Sequence, residues 1–120
     1  MKKSVSILLM LVAVITLTAC SSKLDKTGEE FKNKIIEDRS NLYDEDYKEG
    51  DFSFLIYKDK DSNRYLSDVW VPYEGKDSEL ERFYSFDENK DLIDLNNQES
   101  FNDVKDNGNY EVIYKTGKFK

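Results

Sequence analysis

Residues 51–73 read DFSFLIYKDKDSNRYLSDVWVPY. Two runs dense in aromatic and branched side chains, Asp51–Lys58 and Arg64–Tyr73, flank the polar stretch Asp59–Asn63. Aromatic and β-branched residues suit a pleated, half-buried surface. Asp, Ser and Asn favour turns because their side chains bond nearby backbone groups. The stretch therefore predicts an antiparallel hairpin. In its second run, a period of two puts Tyr65, Val69, Val71 and Tyr73 on one face and Leu66 and Trp70 on the other. Pro72, the single proline, cannot donate to a ladder, so that strand end belongs at an edge or a bulge.

Downstream, Glu74–Ser78 reads as a turn and Leu80–Phe86 (LERFYSF) as a third strand. Asp87–Asp91 turns again, Leu92–Leu95 gives a short fourth strand, and Tyr110–Tyr114 (YEVIY) a last one. Between them Asn96–Asn109 is polar, with a one-turn helix expected around Ser100–Val104. Upstream, Leu24, Phe31, Ile35 and Leu42 recur at spacings of 7, 4 and 7, with Ile36 widening the stripe. That is an amphipathic helix over about residues 25–42. Thr27 followed by Glu30 matches a capping box and offers a later start. Asn41–Gly50 is an acidic connection whose run Asp44-Glu45-Asp46 reads as a solvated loop or as a site for a basic partner.

The expected layout is α+β: one N-terminal helix packed on a curved antiparallel sheet of four to five strands. The helix covers one face, and the other is wet or covered by a partner. One helix cannot bury both aromatic sets of the hairpin. Either the sheet curls around its own core or one set is exposed. Trp70, Tyr73, Tyr84 and Tyr114 are the candidates for an exposed interaction surface, since Tyr is favoured at interfaces.

The first twenty residues differ from the rest. Lys2 and Lys3 precede the apolar run Val5–Leu17 (VSILLMLVAVITL), whose thirteen residues make about 20 Å of helix. A spanning helix needs roughly 20 residues. A basic start, a short apolar core and small residues after it describe a secretory signal peptide. Its end, Leu17-Thr18-Ala19-Cys20, resembles the lipobox of bacterial lipoproteins. The resemblance implies diacylglycerol on the Cys20 thiol and cleavage between Ala19 and Cys20. The chain then divides into a signal peptide (1–19), a lipidated tether (20–24) and an α+β domain (25–120), with the membrane as partner through Cys20. Two acyl chains hold a protein stably where one is marginal.

Cleavage removes Lys2 and Lys3 but no acid, so the charge moves from −7 to −9. That balance opposes nucleic acid, whose phosphates demand an excess of Lys and Arg. It also opposes a body lying flat on anionic lipid. Cys20 is the sole cysteine, so the mature domain has no disulfide and relies on its core. All seven Phe, eight Tyr and the one Trp follow the signal segment.

The chain has no His, hence neither the commonest general base nor the commonest transition-metal ligand. Its five glycines form no phosphate loop. No catalytic residue and no cofactor are expected. Two turns match the opening of a calcium loop: Asp59-Lys60-Asp61-Ser62-Asn63 and Asp87-Glu88-Asn89-Lys90-Asp91. Such loops then require Gly at position 6 and Glu at position 12. The first has Arg64 and Trp70 there, the second Leu92 and Gln98, so both read as hairpin turns and no metal is expected.

The helix with Phe31, Ile35 and Ile36, the pair FLIYKD (54–59) and RYLSDVWV (64–71), and ERFYSFDENKDLIDL (81–95) follow a lipobox in that order. This resembles the small cystatin-like-fold lipoproteins of Gram-positive bacteria, over about Lys23–Tyr114. Some of that group resemble exclusion lipoproteins of conjugative elements, which block redundant transfer at the cell surface by engaging the transfer machinery. The resemblance does not import protease inhibition. The Gln-x-Val-x-Gly wedge is absent, because Gln98 is followed by Glu99-Ser100-Phe101-Asn102. The expectation is a non-enzymatic surface lipoprotein that binds another protein. The alternative is a binder of a small ligand or cell-wall fragment.

Overall fold

A computed structural model describes residues 24–73 and 76–120. The expected signal peptide and lipobox lie outside the described residues. Helix α1 spans Lys26–Tyr43 and a short 3-10 turn Glu49–Asp51 follows. Then come β1 (Ser53–Asp59), β2 (Tyr65–Tyr73), β3 (Lys76–Phe86) and β4 (Leu92–Leu95). Helix α2 (Gln98–Asp106), β5 (Tyr110–Lys115) and a 3-10 turn at Gly117–Phe119 complete the chain. The strands form one open antiparallel sheet in the order β4-β3-β2-β1-β5. The fold is α+β, with α1 packed against a five-stranded sheet.

The start of α1 is fixed by Asp25. Its backbone is extended and its Oδ1 accepts from the Gly28 N–H at 2.7 Å, satisfying one of the donors that a helix start leaves free. Asp25 therefore prevails over the Thr27 box. Leu24, assigned by sequence to the tether, is buried in the core. At the other end Asp44 turns left-handed (φ 55°), and Leu42 points outward at 60 % exposure, so the apolar stripe ends at Ile35 and Ile36.

The hairpin forms as its sequence dictates, with Lys58 opposite Tyr65 and Ser53 opposite Trp70. Past Trp70, β2 has no residue of β1 beside it, and its pairing to β3 shifts between Pro72 and Tyr73. That is the irregular strand end Pro72 requires. Strand β3 starts at Lys76, taking in residues that sequence assigned to the preceding turn.

The two faces of the sheet pack against different helices. On one, Phe54, Ile56, Tyr65, Val69, Val71, Tyr84 and Phe86 pack with Phe31 and Ile35 of α1. Phe31 stacks on Phe86 with ring centres 5.1 Å apart. On the other, Tyr57, Leu66 and Phe83 pack around Phe101 of α2, flanked by Leu55, Leu95 and Val104. The Phe101 ring lies 4.9 Å from Phe83 and 5.9 Å from Tyr57. So α2 is nine residues, not one turn, and it packs on part of the face expected to be wet or covered by a partner. Asn97 caps it by accepting from Ser100 N–H at 2.8 Å.

Candidate functional site

The four aromatic candidates do not share a surface. Tyr84 is buried beneath α1, and its hydroxyl donates to Asp38 at 3.3 Å. Burial pushes its phenol up to about 12. Alternation puts Tyr84 opposite Ser67, on the face that α1 covers, and this removes it from any recognition surface. Tyr114 sits half-buried on the same side, its hydroxyl donating to Glu49 at 2.6 Å. Burial and that bond raise its phenol to about 12. Trp70 lies on the opposite face, half-buried, with the Lys118 ammonium 4.4 Å from its ring centre. Tyr73 is the most exposed of the four, at 36 %.

The structure pairs Tyr73 with a residue sequence did not single out. Tyr43, the last residue of α1, meets it edge-on with ring centres 6.2 Å apart. Arg39 holds Tyr43 by a bond to its hydroxyl at 3.1 Å and by stacking 5.2 Å over its ring. The chain then turns through Asp44, with Glu45 N–H bonded to the Ser40 carbonyl at 2.9 Å. Asp44, Glu45 and Asp46 point outward. Asp46 pairs with Lys48 at 3.0 Å, while Asp44 and Glu45 make no ion pair among the described residues. The next acid, Glu49, faces inward between Lys32 (2.7 Å) and Tyr114. The acidic run thus divides into structural Glu49 and an outward-facing trio. This end of the molecule carries Tyr43, Tyr73 and the acidic loop.

At the opposite end the start of α1 meets three turns. Asp25 Oδ2 accepts from Tyr65 O–H (2.7 Å) and Lys58 (3.0 Å). Burial pushes the Asp25 carboxyl up, but these bonds and the Gly28 N–H outweigh it and hold it below the usual range. Lys90 pairs with Glu30 at 2.9 Å and Arg64 with Glu88 at 3.4 Å. Asp25, Lys58, Tyr65, Glu88 and Lys90 border an open cavity of about 280 Å³, also lined by Lys26, Thr27, Asn63 and Asp87. The two calcium-like turns also lie here. Asp59 accepts from Asp61 N–H (3.0 Å), Asn109 N–H (3.3 Å) and Ser62 O–H (2.9 Å). Asp87 accepts from the N–H groups of Asn89 and Asp91, both at 2.9 Å. Both carboxylates are engaged in building their own turns.

A third arrangement lies on the α2 side. Asp68 faces the same way as Leu55 and Phe83, its cross-strand neighbours. Its Oδ1 is buried with no hydrogen-bond partner among the described residues. Burial, then hydrogen bonding to Glu81 and that group's charge, raise the Asp68 carboxyl to about 7. The signal was in the sequence: alternation puts Asp68 between Leu66 and Trp70, an acid on an apolar face.

No family model matches the chain, and neither a curated protein nor a solved structure matches it. Among the described residues no helix is long and apolar enough to cross a membrane, and no three acidic, His or Cys side chains are grouped as a metal site.

Proposed function

We propose that the protein is a lipid-anchored surface lipoprotein whose cystatin-like domain binds another protein without catalysis. The observation that carries this reading is Leu17-Thr18-Ala19-Cys20, closing a basic-then-apolar segment too short to span a bilayer. The chain places its single cysteine at the one position where a lipobox needs it. Among the described residues, the size and polarity of the cavity at the start of α1 favour protein binding over small-ligand binding. The cavity at the start of α1 is open, polar and about 280 Å³, and the one beside Tyr110 about 240 Å³. Small-molecule sites are mostly apolar and run from roughly 300 to 1,000 Å³. The Tyr43–Tyr73 rim with its acidic loop instead offers large, semi-rigid aromatic side chains beside unpaired charge, which suits a basic protein surface.

Labelling with a radioactive fatty acid tests the anchor. The protein takes up the label, and Cys20→Ser takes up none and is left uncleaved. Label on that variant, or none on the wild-type chain, overturns the anchor. The sharper form of the proposal, drawn from the resemblance to exclusion lipoproteins, is exclusion or immunity toward a conjugative or related envelope machine. Deleting the chain from a mobile element that encodes it then raises uptake of that same element, and unchanged uptake rejects this form.

A further inference from the structure

The position of Leu24 has a consequence for how the domain sits. Leu24 is buried at 5 % exposure in the α1-side core, and Asp25 is bound to Lys58 and Tyr65. Only Ser21, Ser22 and Lys23 separate Cys20 from this fixed body. Four Cα steps reach at most ~14 Å. The lipid is therefore attached, through a very short leash, at the end of the molecule where α1 begins. The turns 60–64, 87–91 and 107–109 share that end, linked by Lys90–Glu30, Arg64–Glu88 and the Lys60 N–H bonded to the Asn109 carbonyl.

Charge is distributed along the same axis. At the leashed end most acids have a basic or backbone partner: Asp25 with Lys58, Glu88 with Arg64, Asp59 and Asp87 within their turns. At the far end residues 44–51 hold five acids: Glu49 pairs with Lys32, Asp46 with Lys48 and Asp51 accepts from the Lys48 N–H, while Asp44 and Glu45 make no ion pair among the described residues. Helix α1 has eighteen residues, so the acidic loop stands ~27 Å from the leash. That exceeds the ~8 Å Debye length at physiological salt. Tilting the domain flat brings unpaired carboxylates into the negative layer of an anionic leaflet, whereas an upright domain keeps them out of it.

We infer that the lipidated domain stands end-on, with the α1 start and the 60–64 and 87–91 turns against the lipid headgroups, and the Tyr43–Tyr73 rim and acidic loop facing outward. This rests on lipid at Cys20, and it identifies which end a partner reaches.

The chemistry of the chain makes the test clean. Once Cys20 carries lipid, an introduced cysteine is the only free thiol. Asp61→Cys, Asn89→Cys and Asp46→Cys, each in the full lipidated protein, are labelled with a fluorophore. They are then placed in phosphatidylglycerol–phosphatidylethanolamine vesicles containing nitroxide-headgroup lipid. Quenching several-fold stronger at 61 and 89 than at 46 is the expected result. Equal quenching at all three, or strongest quenching at 46, in protein that floats with the vesicles overturns the orientation and leaves the anchor standing. Lipidated preparations that fail to float overturn both. A flexible spacer of about ten Gly/Ser residues after Ser22 adds roughly 17 Å of reach. It flattens the gradient without loss of flotation if the short leash sets the orientation, and a gradient that survives the spacer rejects the leash as its cause.

Discussion

Asp68 and Asp25 show opposite uses of a carboxyl group. Asp25 is held ionised by Tyr65, Lys58 and the α1 start, and removing it leaves the Tyr65 hydroxyl and the Gly28 N–H without it. Asp25→Ala is expected to cost about 2 kcal/mol by chemical denaturation, the upper part of the range for an N-cap because the Tyr65 bond is lost as well. Asp68 is pushed toward its protonated form by burial and by Glu81. Its folded-state carboxyl titrates at about 7, against 3.8 when unfolded, so the folded state binds the extra proton between those values. Its favourable contribution is complete below about pH 4 and is lost as pH rises through 7. Asp68→Asn is therefore expected to flatten the stability profile over that window. At pH 8 it should gain about 1–2 kcal/mol, less than the full shift implies because the group is partly solvated. Parallel pH profiles for wild type and variant reject this account.

Helices α1 and α2 depend on the sheet in different ways. Eighteen-residue α1 carries a broad buried stripe, and its inner face includes the polar Lys32 at 4 % exposure. Burial lowers the Lys32 ammonium, but Glu29 and Glu49 outweigh it and raise it above its usual value. Lys32→Ala withdraws the cation from both carboxylates and from the Tyr114 ring, 5.4 Å away. It is expected to cost about 2 kcal/mol, below the range for fully buried pairs because both carboxylates are partly exposed. Nine-residue α2 is too short to persist alone and has one buried anchor, Phe101. Phe101→Ala is expected to cost about 3 kcal/mol and to speed amide exchange across α2 before the rest of the chain. Unchanged exchange in α2 means that the anchor lies elsewhere. The hairpin and α1 were legible because their periods, two and 3.6, span many residues. Helix α2 was read as one turn because only Phe101 and Val104 signal its apolar side.

For the whole molecule, two helices on opposite faces answer the question posed by two aromatic sets. Neither curling nor exposure is needed to account for Tyr57, Leu66 and Phe83, since α2 buries them. The rim of Tyr43 and Tyr73 beside Asp44–Asp46 lies at one end of the molecule. At this scale the proposed anchor and end-on stance make their predictions, Cys20→Ser losing the fatty-acid label and quenching graded from Asp61 to Asp46. Both depend on position along the molecule.

Sequence by itself determined the fold class, the hairpin and its turn, the two faces of β2 and the irregularity at Pro72. It also carries Leu17-Thr18-Ala19-Cys20, which resembles a lipobox. Each is a local property, set by periodicity, turn chemistry or side-chain type over a few residues. The tertiary structure decided what depends on long-range packing. It put α2 over the second face, drew Leu24 out of the tether, sank Tyr84 beneath α1, joined Tyr43 to Tyr73 and set Asp68 beside Glu81. Burial and proximity are properties of the closed chain, so residues with the same local signal, such as Tyr73 and Tyr84, part company only when the sheet and its helices come together.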